Sequence, residues 1–348
     1  MISTLRKALH LVRLSMFVLL MAISATAYAN ATVERINYRG WQDSYRLTLG
    51  SRSLVVVPEI GGRIMEYSIS GKNVIWENPE QFGRTYPVSG DWYNFGGYKT
   101  WLAQKDKYAW PPDTMLDYGK ANVEVIKDSS GGSLLRVTGA ASIKSGVIFT
   151  KDISLDDSGE ALVRQSLTNI SSHLITYGIW NVTQVNAPCY VVFPIGQKTK
   201  LPGGITDLEG IGRKKGQVDI KDGLCITKFT SEGCKIGADT DGTWLLWLKD
   251  NLAYIKSFSP MAKSAQYPHS GCSVEVYADP TYPYMEMELL GPIRKLRPGE
   301  RAELVERWSI IELSQPIGDE NSIFAAIKQL REKGFLRLQS VVSTKKGK

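Results

Sequence analysis

Two carboxylates that lie two positions apart, Glu286 and Glu288, are the first candidates for chemistry. In an extended strand alternate side chains point to the same side, so both carboxylates share one face. Glu275 and Tyr277 share a face in the same way one segment earlier. A buried carboxylate is costly unless it is paired, so this face either lines a polar cleft or lies on a hydrated outer surface. The sequence leaves both alternatives open.

The aromatic segment of residues 88–119 supplies the second group of candidates. Sugars present apolar C–H faces and polar rims, so a site for them needs flat rings with a few amides and charges. We expect a long loop that folds over a sheet, since so many rings would not be left in water. Any single ring taken alone is better explained as packed core, so the sugar hypothesis rests on the cluster of rings. The rings that could face a sugar and the groups that could form the polar rim are Trp92, Trp101, Trp110, Asn94, Lys99, Gln104 and Asp113.

A third candidate is Arg63, which follows the glycine pair at 61–62 between two apolar runs. Glycines in a turn between strands supply positive φ or a close backbone approach, so a plain hairpin explains them. It does not explain the arginine. The guanidinium could reach a pocket and donate to hydroxyls or to a carboxylate.

The elements that must position these groups are strands. Runs with period-two alternation follow one another between Gly, Pro, Asn and Asp turns, which predicts an all-β, large antiparallel β-sandwich in one domain, residues 30–313. Helical periodicity occurs only in the last segment, 314–348, where Asp319 or Asn321 can cap a helix that Gly334 ends. We expect this helix to pack on the sandwich through Ile323, Phe324, Ile327 and Leu330, and a disordered basic tail to follow it.

The first 29 residues have the pattern of a secretory signal. Basic residues (Arg6, Lys7, Arg13) precede an apolar run at 14–23, and Ala-Tyr-Ala at 27–29 is a small-residue cleavage site. The run is short for a membrane span, although an uncleaved anchor helix is the alternative. The pattern predicts a periplasmic or secreted protein with no stable membrane insertion after cleavage.

The charge and the histidine and cysteine content limit which ligands and partners the sequence supports. The formal net charge is +7, of which the signal carries three, and no basic stripe indicates nucleic-acid binding. Only two histidines, His173 and His269, follow the signal, which disfavours a Cys/His zinc site, and no motif indicates a cofactor. The sequence allows two alternatives for the cysteines: one disulfide bond, or four free thiols. The four are Cys189, Cys225, Cys234 and Cys272.

Two distant segments carry a family resemblance. Residues 54–80, with the Gly-Gly-Arg turn and Trp76, and residues 283–310, with a Pro-Gly-Glu turn, resemble the opening and closing hairpins of galactose-mutarotase-like proteins. NFGGYKTW at 94–101 followed by WPP at 110–112 resembles the uncharacterised bacterial DUF4380 type within that superfamily. The resemblance implies the large two-sheet sandwich of mutarotases, sometimes called a supersandwich, and a sugar as ligand.

The resemblance also implies roles for single residues. Aldose mutarotases use a Glu as general base near the final hairpin and a His as general acid on a central strand. Glu288 lies where that Glu would be, as base or hydroxyl acceptor. The histidine does not carry over: His173 lies too early, and the matching strand offers Asn181 and Gln184, which can hydrogen-bond a sugar.

Three functions follow as hypotheses. The first is an exported carbohydrate-binding protein, in which the sugar contacts Arg63, Trp92, Asn94, Lys99, Trp101, Trp110, Asn181, Gln184 and Glu286. The second is an aldose 1-epimerase-like isomerase whose acid is not the family histidine but Tyr277, Lys99 or a loop-borne His269. The third is a structural or partner-binding envelope protein that uses the aromatic segment as its contact surface. Which sugar binds, and the oligomeric state, stay open.

Overall fold

Two antiparallel β-sheets packed face to face make up most of the structure, which confirms the predicted all-β sandwich. The computed structural model describes residues 30–336, with gaps at 88–89, 106, 109, 128–130, 231, 261, 263 and 280. The predicted signal, 1–29, and residues 337–348 of the predicted tail lie outside the described residues. None of the described helices has the length and hydropathy needed to cross a bilayer.

The first sheet has twelve strands within the described ranges. They are β1 (Thr32–Tyr38), β2 (Trp41–Leu49), β3 (Arg52–Val57), β4 (Arg63–Ile69), β5 (Lys72–Asn73), β6 (Tyr98–Ala103), β11 (Ile175–Asn186), β13 (Thr206–Asp207), β16 (Cys234–Ala238), β19 (Val274–Ala278), β20 (Tyr284–Leu290) and β21 (Arg294–Leu296). Their order is β1-β2-β3-β4-β6-β11-β20-β19-β16-β13, with β5 on β4 and β21 on β11. The candidate carboxylates therefore lie near the middle of this sheet.

The second sheet has ten strands in the same described part of the chain. They are β7 (Asn122–Lys127), β8 (Ser133–Thr138), β9 (Val147–Leu155), β10 (Ala161–Asn169), β12 (Tyr190–Pro194), β14 (Val218–Lys221), β15 (Leu224–Lys228), β17 (Trp244–Lys249), β18 (Leu252–Phe258) and β22 (Arg301–Glu312). Their order is β14-β15-β12-β17-β18-β22-β10-β9-β8-β7.

The space between the sheets is an apolar core that also contains one charged pair. At its centre the rings of Tyr67, Tyr254 and Trp308 pack against each other with centroids 5.8–5.9 Å apart. Beside them the Lys256 ammonium lies 2.9 Å from the Glu306 carboxylate, and both side chains are fully buried. Such a pair is tolerated only when its remaining polar atoms are hydrogen-bonded.

The C-terminal helix covers the outer face of the second sheet. Two α-helices, α1 (Thr114–Tyr118) and α2 (Glu320–Glu332), and four short 3₁₀ turns, Pro58–Ile60, Pro79–Gln81, Pro202–Gly204 and His269–Gly271, are present in the described residues. Asp319 caps α2 through the Ser322 backbone N–H, as one of the two predicted caps. Of the four residues predicted to pack, Ile323, Ile327 and Leu330 are buried and Phe324 is half-buried, since Ala326 takes the inner position instead.

The aromatic segment differs from the prediction of a single long loop. Its middle part is β6, a central strand of the first sheet, and a later part is α1. Gly96 and Gly97, with φ of +89° and +83°, turn the chain into the sheet, and a side chain at Gly96 would meet the Trp76 carbonyl oxygen at 2.4 Å. The buried lysine in β6 hid the strand pattern, because alternation reads a lysine as an exposed position.

The cysteines form no disulfide bond in the described residues, so the alternative of four free thiols is the one the structure shows. Cys189, Cys225, Cys234 and Cys272 are all buried free thiols. Burial raises the pKa of the Cys234 thiol to about 11 and that of Cys225 to about 12, so both stay protonated at neutral pH.

Candidate functional site

A cleft of about 280 Å³ lies on the outer face of the first sheet, opposite the helix-covered side. Six aromatic rings line it: Trp92, Trp101, Trp110, Trp180, Tyr277 and Tyr284. Charged side chains share the lining: Glu209, Lys235, Asp279 and Glu286. Rings with a few charges at the floor form a surface that is mostly apolar but can orient a polar ligand.

Strand register brings the floor residues together. Trp101 of β6 lies opposite Trp180 of β11, and Gln184 of β11 lies opposite Glu286 of β20. One strand further, Glu286 lies opposite Tyr277, which lies opposite Lys235. Because directly opposed side chains point to the same face, this row forms one continuous outer surface.

Asp117 fixes the tryptophan wall. Its carboxylate accepts hydrogen bonds from the indole N–H of Trp92 at 2.9 Å and of Trp101 at 3.0 Å. It also forms a buried ion pair with Arg63 at 2.7 Å. A Cβ at Gly61, where φ is +76°, would lie 2.1 Å from the Asp117 carbonyl oxygen. Only glycine therefore lets the turn approach α1 closely enough to position Asp117.

Lys99 lies beneath the same wall. Its ammonium is 3.3 Å from Glu286 and 5.0 Å from the centroid of the Trp101 ring. Burial lowers the pKa of Lys99, while the Glu286 carboxylate opposes that shift. The cation thus holds Glu286 in place at the cleft floor.

A buried triad of one lysine and two glutamates lies beside the cleft. The Lys235 ammonium is 2.5 Å from Glu288 and 3.2 Å from Glu275. The second oxygen of Glu288 accepts the Trp180 indole N–H at 2.6 Å. Burial raises the pKa of Glu288 to about 8, against the attraction of Lys235. Burial pushes the pKa of Glu275 in the same direction, but Lys235 and His269 outweigh it and hold that pKa below its usual range.

His269 completes this group from a strained turn. Its Nδ1 lies 2.7 Å from Glu275, and its ring stacks on Tyr108 with centroids 3.8 Å apart. His269 and Ser270 have φ of +47° and +64°, a region that non-glycine residues rarely occupy. The buried Nε2 of His269 has no hydrogen-bond partner among the described residues. Backbone strain with an unpaired buried atom is typical of functional sites.

The structure brings most of the sequence-predicted residues to this face. Trp92, Trp101, Trp110 and Glu286 line the cleft. Lys99, Gln184 and Glu288 lie on the same face but are buried beneath the lining. Glu288, the expected base, does not reach the cleft surface, because Trp180 and Lys235 occupy both of its oxygens.

Three predicted contacts lie elsewhere. Asn181 points to the opposite face, between the sheets, where its amide donates to Glu306 at 2.6 Å. Arg63 donates to Asp117 and to the Gly96 carbonyl oxygen, so its donors serve the tryptophan wall and not the cleft. The side chain of Asn94 accepts the Gly96 backbone N–H within its own turn. Arg63, Asn181 and Glu288 therefore do not share one cleft.

Sequence reasoning missed four charged residues of the site: Asp117, Glu209, Lys235 and Asp279. Lys235 lies in a short apolar strand, where a lysine is unexpected, and that was the available signal. Asp279 accepts from the hydroxyls of Tyr277 and Tyr284, both at 3.0 Å. No group of three or more His, Cys, Asp or Glu within the described ranges is arranged to hold a metal ion.

The comparison with protein families matches residues 44–311 to the domain of unknown function DUF4380. The chain belongs to the DUF4380 family. No curated protein matches this DUF4380 chain.

Solved structures show the fold. A proposed aldose 1-epimerase from Escherichia coli K12 is 14% identical with a TM-score of 0.52, over 81% of this chain and 100% of that one. One from Klebsiella pneumoniae is 10% identical with a TM-score of 0.55, over 87% of each chain. A galactose mutarotase-like protein from Lactobacillus casei ATCC 334 is 11% identical with a TM-score of 0.50, over 76% and 99%. At these identities the likeness establishes the galactose mutarotase-like fold alone.

Proposed function

We propose that this protein binds a carbohydrate in the aromatic cleft. The observation that carries the proposal is the cleft itself, where six rings surround Glu286, Lys235 and two further carboxylates. Ring faces suit the C–H faces of a sugar, and the charged floor suits its hydroxyls. A volume of about 280 Å³ lies just below the range of about 300–1,000 Å³ that is usual for small-molecule sites, which favours a small saccharide over a long chain.

Calorimetric titration with a panel of mono- and disaccharides tests this proposal. We expect at least one sugar to bind, and Trp110→Ala to weaken it about three- to tenfold, the value of one aromatic contact. Trp110 is 54% exposed, so its removal should leave the fold intact. Leu174→Ala is a matched control, because Leu174 is 55% exposed and absent from the cleft lining. A folded protein that binds no member of the panel would favour the envelope-protein hypothesis.

An aldose 1-epimerase-like isomerase is the second candidate, favoured by the hydrogen bond between His269 and Glu275. Glu275 orients the imidazole of His269, and the Nε2 of that ring has no partner among the described residues. This arrangement is suited to proton transfer. Glu288, which burial keeps protonated near neutral pH, is a second proton carrier in the same group. His269 would take the acid role that the family histidine has in mutarotases, and Glu288, which does not reach the cleft surface, would exchange protons only through this buried group.

NMR of anomer interconversion separates the two candidates. If the protein is an isomerase, wild type accelerates the exchange and His269→Asn reduces the acceleration by about 10²- to 10⁴-fold. Asn tolerates the left-handed backbone at this position, so the variant should fold. Sugar binding without any acceleration of the exchange would support the binding function and contradict the isomerase.

The proposal includes export, which is supported by the signal pattern of the sequence alone. The mass of the mature protein from the periplasm or medium should correspond to a chain that begins at or near Asn30. A full-length product held in the membrane would contradict export and leave the cleft proposal unaffected.

A further inference from the structure

We propose that the ligand of the cleft carries a positive charge, as the ammonium group of an amino sugar does. This inference rests on the proposed carbohydrate binding and names the class of saccharide. It is argued from the charges of the lining, from one carboxylate without a partner and from the rings.

The charge of the lining is negative. Among the described residues that line the cleft, three are carboxylates (Glu209, Asp279, Glu286) and one is a lysine, Lys235. That lysine is already paired with the buried Glu275 and Glu288 behind it. A ligand carboxylate would therefore meet like charges and no uncommitted cation, whereas an ammonium would meet opposite charges.

Glu209 is the carboxylate that is available to a ligand. Asp279 accepts from two tyrosine hydroxyls, and Glu286 is held by Lys99. Glu209 makes no hydrogen bond or ion pair with any described residue. Its side chain lines the cleft, and its backbone has a φ of +54°, a region that non-glycine residues rarely occupy.

The rings of the cleft already bind ammonium groups of the protein. Lys99 lies 5.0 Å from the Trp101 centroid, and Lys235 lies 5.4 Å from that of Trp180 and 5.7 Å from that of Tyr277. Trp110, at the cleft mouth, has no cation over its ring among the described residues. An uncovered indole face in a cleft that is also lined by carboxylates is a favourable place for a ligand ammonium, through cation–π attraction.

Calorimetry with a matched sugar series tests the inference. The series keeps one ring and changes one group: galactosamine, galactose, N-acetylgalactosamine and galacturonate, with the corresponding gluco series. We expect the amine to bind about tenfold tighter than the neutral sugars, as one desolvated cation–π contact with a carboxylate allows. The uronate should bind most weakly. Glu209→Gln should remove most of the amine advantage, because it removes the charge that attracts the ammonium and keeps the size of the side chain. Glu34→Gln, an exposed carboxylate on β1, is the control and should change neither affinity.

The outcomes separate this inference from the proposed function. If neutral sugars or uronates bind as tightly as the amines, or if Glu209→Gln keeps the amine advantage, the charge inference is wrong and sugar binding stands. If no sugar binds but tetramethylammonium does, and Glu209→Gln weakens it, the charge inference stands and sugar binding is wrong. If neither class of probe binds, both are wrong.

Discussion

Two of the buried charge groups among the described residues differ in the balance of their charges. Between the sheets one lysine, Lys256, faces one carboxylate, Glu306. Beside the cleft one lysine, Lys235, faces two carboxylates, Glu275 and Glu288. Both groups are removed from water, so the difference lies in the number of carboxylates for each cation.

The two charge groups also differ in how completely they are hydrogen-bonded. Each oxygen of Glu306 accepts two hydrogen bonds: Tyr98 and Asn181 donate to one, and Trp308 and Lys256 to the other. Beside the cleft the Nε2 of His269 has no partner in the described part of the chain. The inner pair is thus balanced and fully hydrogen-bonded, whereas the triad beside the cleft has two carboxylates for one lysine and a histidine nitrogen without a described partner.

Removal of the cation from the balanced pair should have the largest effect on stability. Lys256→Met leaves Glu306 buried without a counter-charge, so the free energy of unfolding should fall by about 3–5 kcal/mol in chemical denaturation. Arg164→Met, which breaks the exposed Arg164–Glu303 pair, is the control and should cost under about 1 kcal/mol. Equal losses in the two variants would show that the inner pair is not a structural element.

The unbalanced triad should make stability depend on pH. The folded pKa of Glu288 is about 8 against an ordinary 4.5, so between these values the folded state holds a proton that the unfolded state has lost. Stability contributed by this proton is present at low pH and is lost as pH rises towards 8, by up to about 1.4 kcal/mol per pH unit.

Denaturation of wild type and Glu288→Gln at pH 5, 6, 7 and 8 measures this contribution. The stability of wild type relative to the variant should fall steadily across the series. Glu303→Gln, a change at an exposed glutamate, should run parallel to wild type. A constant difference between wild type and Glu288→Gln would mean that Glu288 is ionised throughout, and that the triad has no proton to exchange.

Two glutamines with no exposed surface give the smallest and most closely matched test. Gln165, between the sheets, accepts from Thr100 at 3.0 Å and donates to the Thr150 carbonyl oxygen at 3.3 Å. Gln184, on the cleft side, has no partner for its amide among the described residues. Gln165→Met should cost about 1–3 kcal/mol and Gln184→Met close to zero, because only the first change breaks hydrogen bonds. Equal costs would mean that the two faces do not differ in this way.

The fold was largely predictable because strands leave a local pattern. The predicted run at 63–69 is β4, and the predicted cap Asp319 begins α2. β6 was not predictable in the same way, since Lys99 and Trp101 point to an outer face that is buried by the aromatic segment itself. Alternation indicates which face of a strand a residue occupies, but not whether another part of the chain covers that face.

The candidate site was predictable in part for the same reason. The shared face of Glu286 and Glu288 followed from strand geometry, and the tryptophans followed from their density. The triad did not, because Lys235 and Glu288 are 53 residues apart and meet only through the order of β16, β19 and β20. The burial of Glu288 beneath Trp180 likewise depends on pairing that no local segment encodes.

Helix α2 has a practical consequence for experiments on this protein. It covers the outer face of the second sheet, while the cleft opens on the outer face of the first. The exposed Lys333, just after α2, is thus on the far side of the molecule from the cleft. A dye or a sensor-chip linkage attached there would leave the opening of the cleft unobstructed, so the proposed ligands could be tested on immobilised protein.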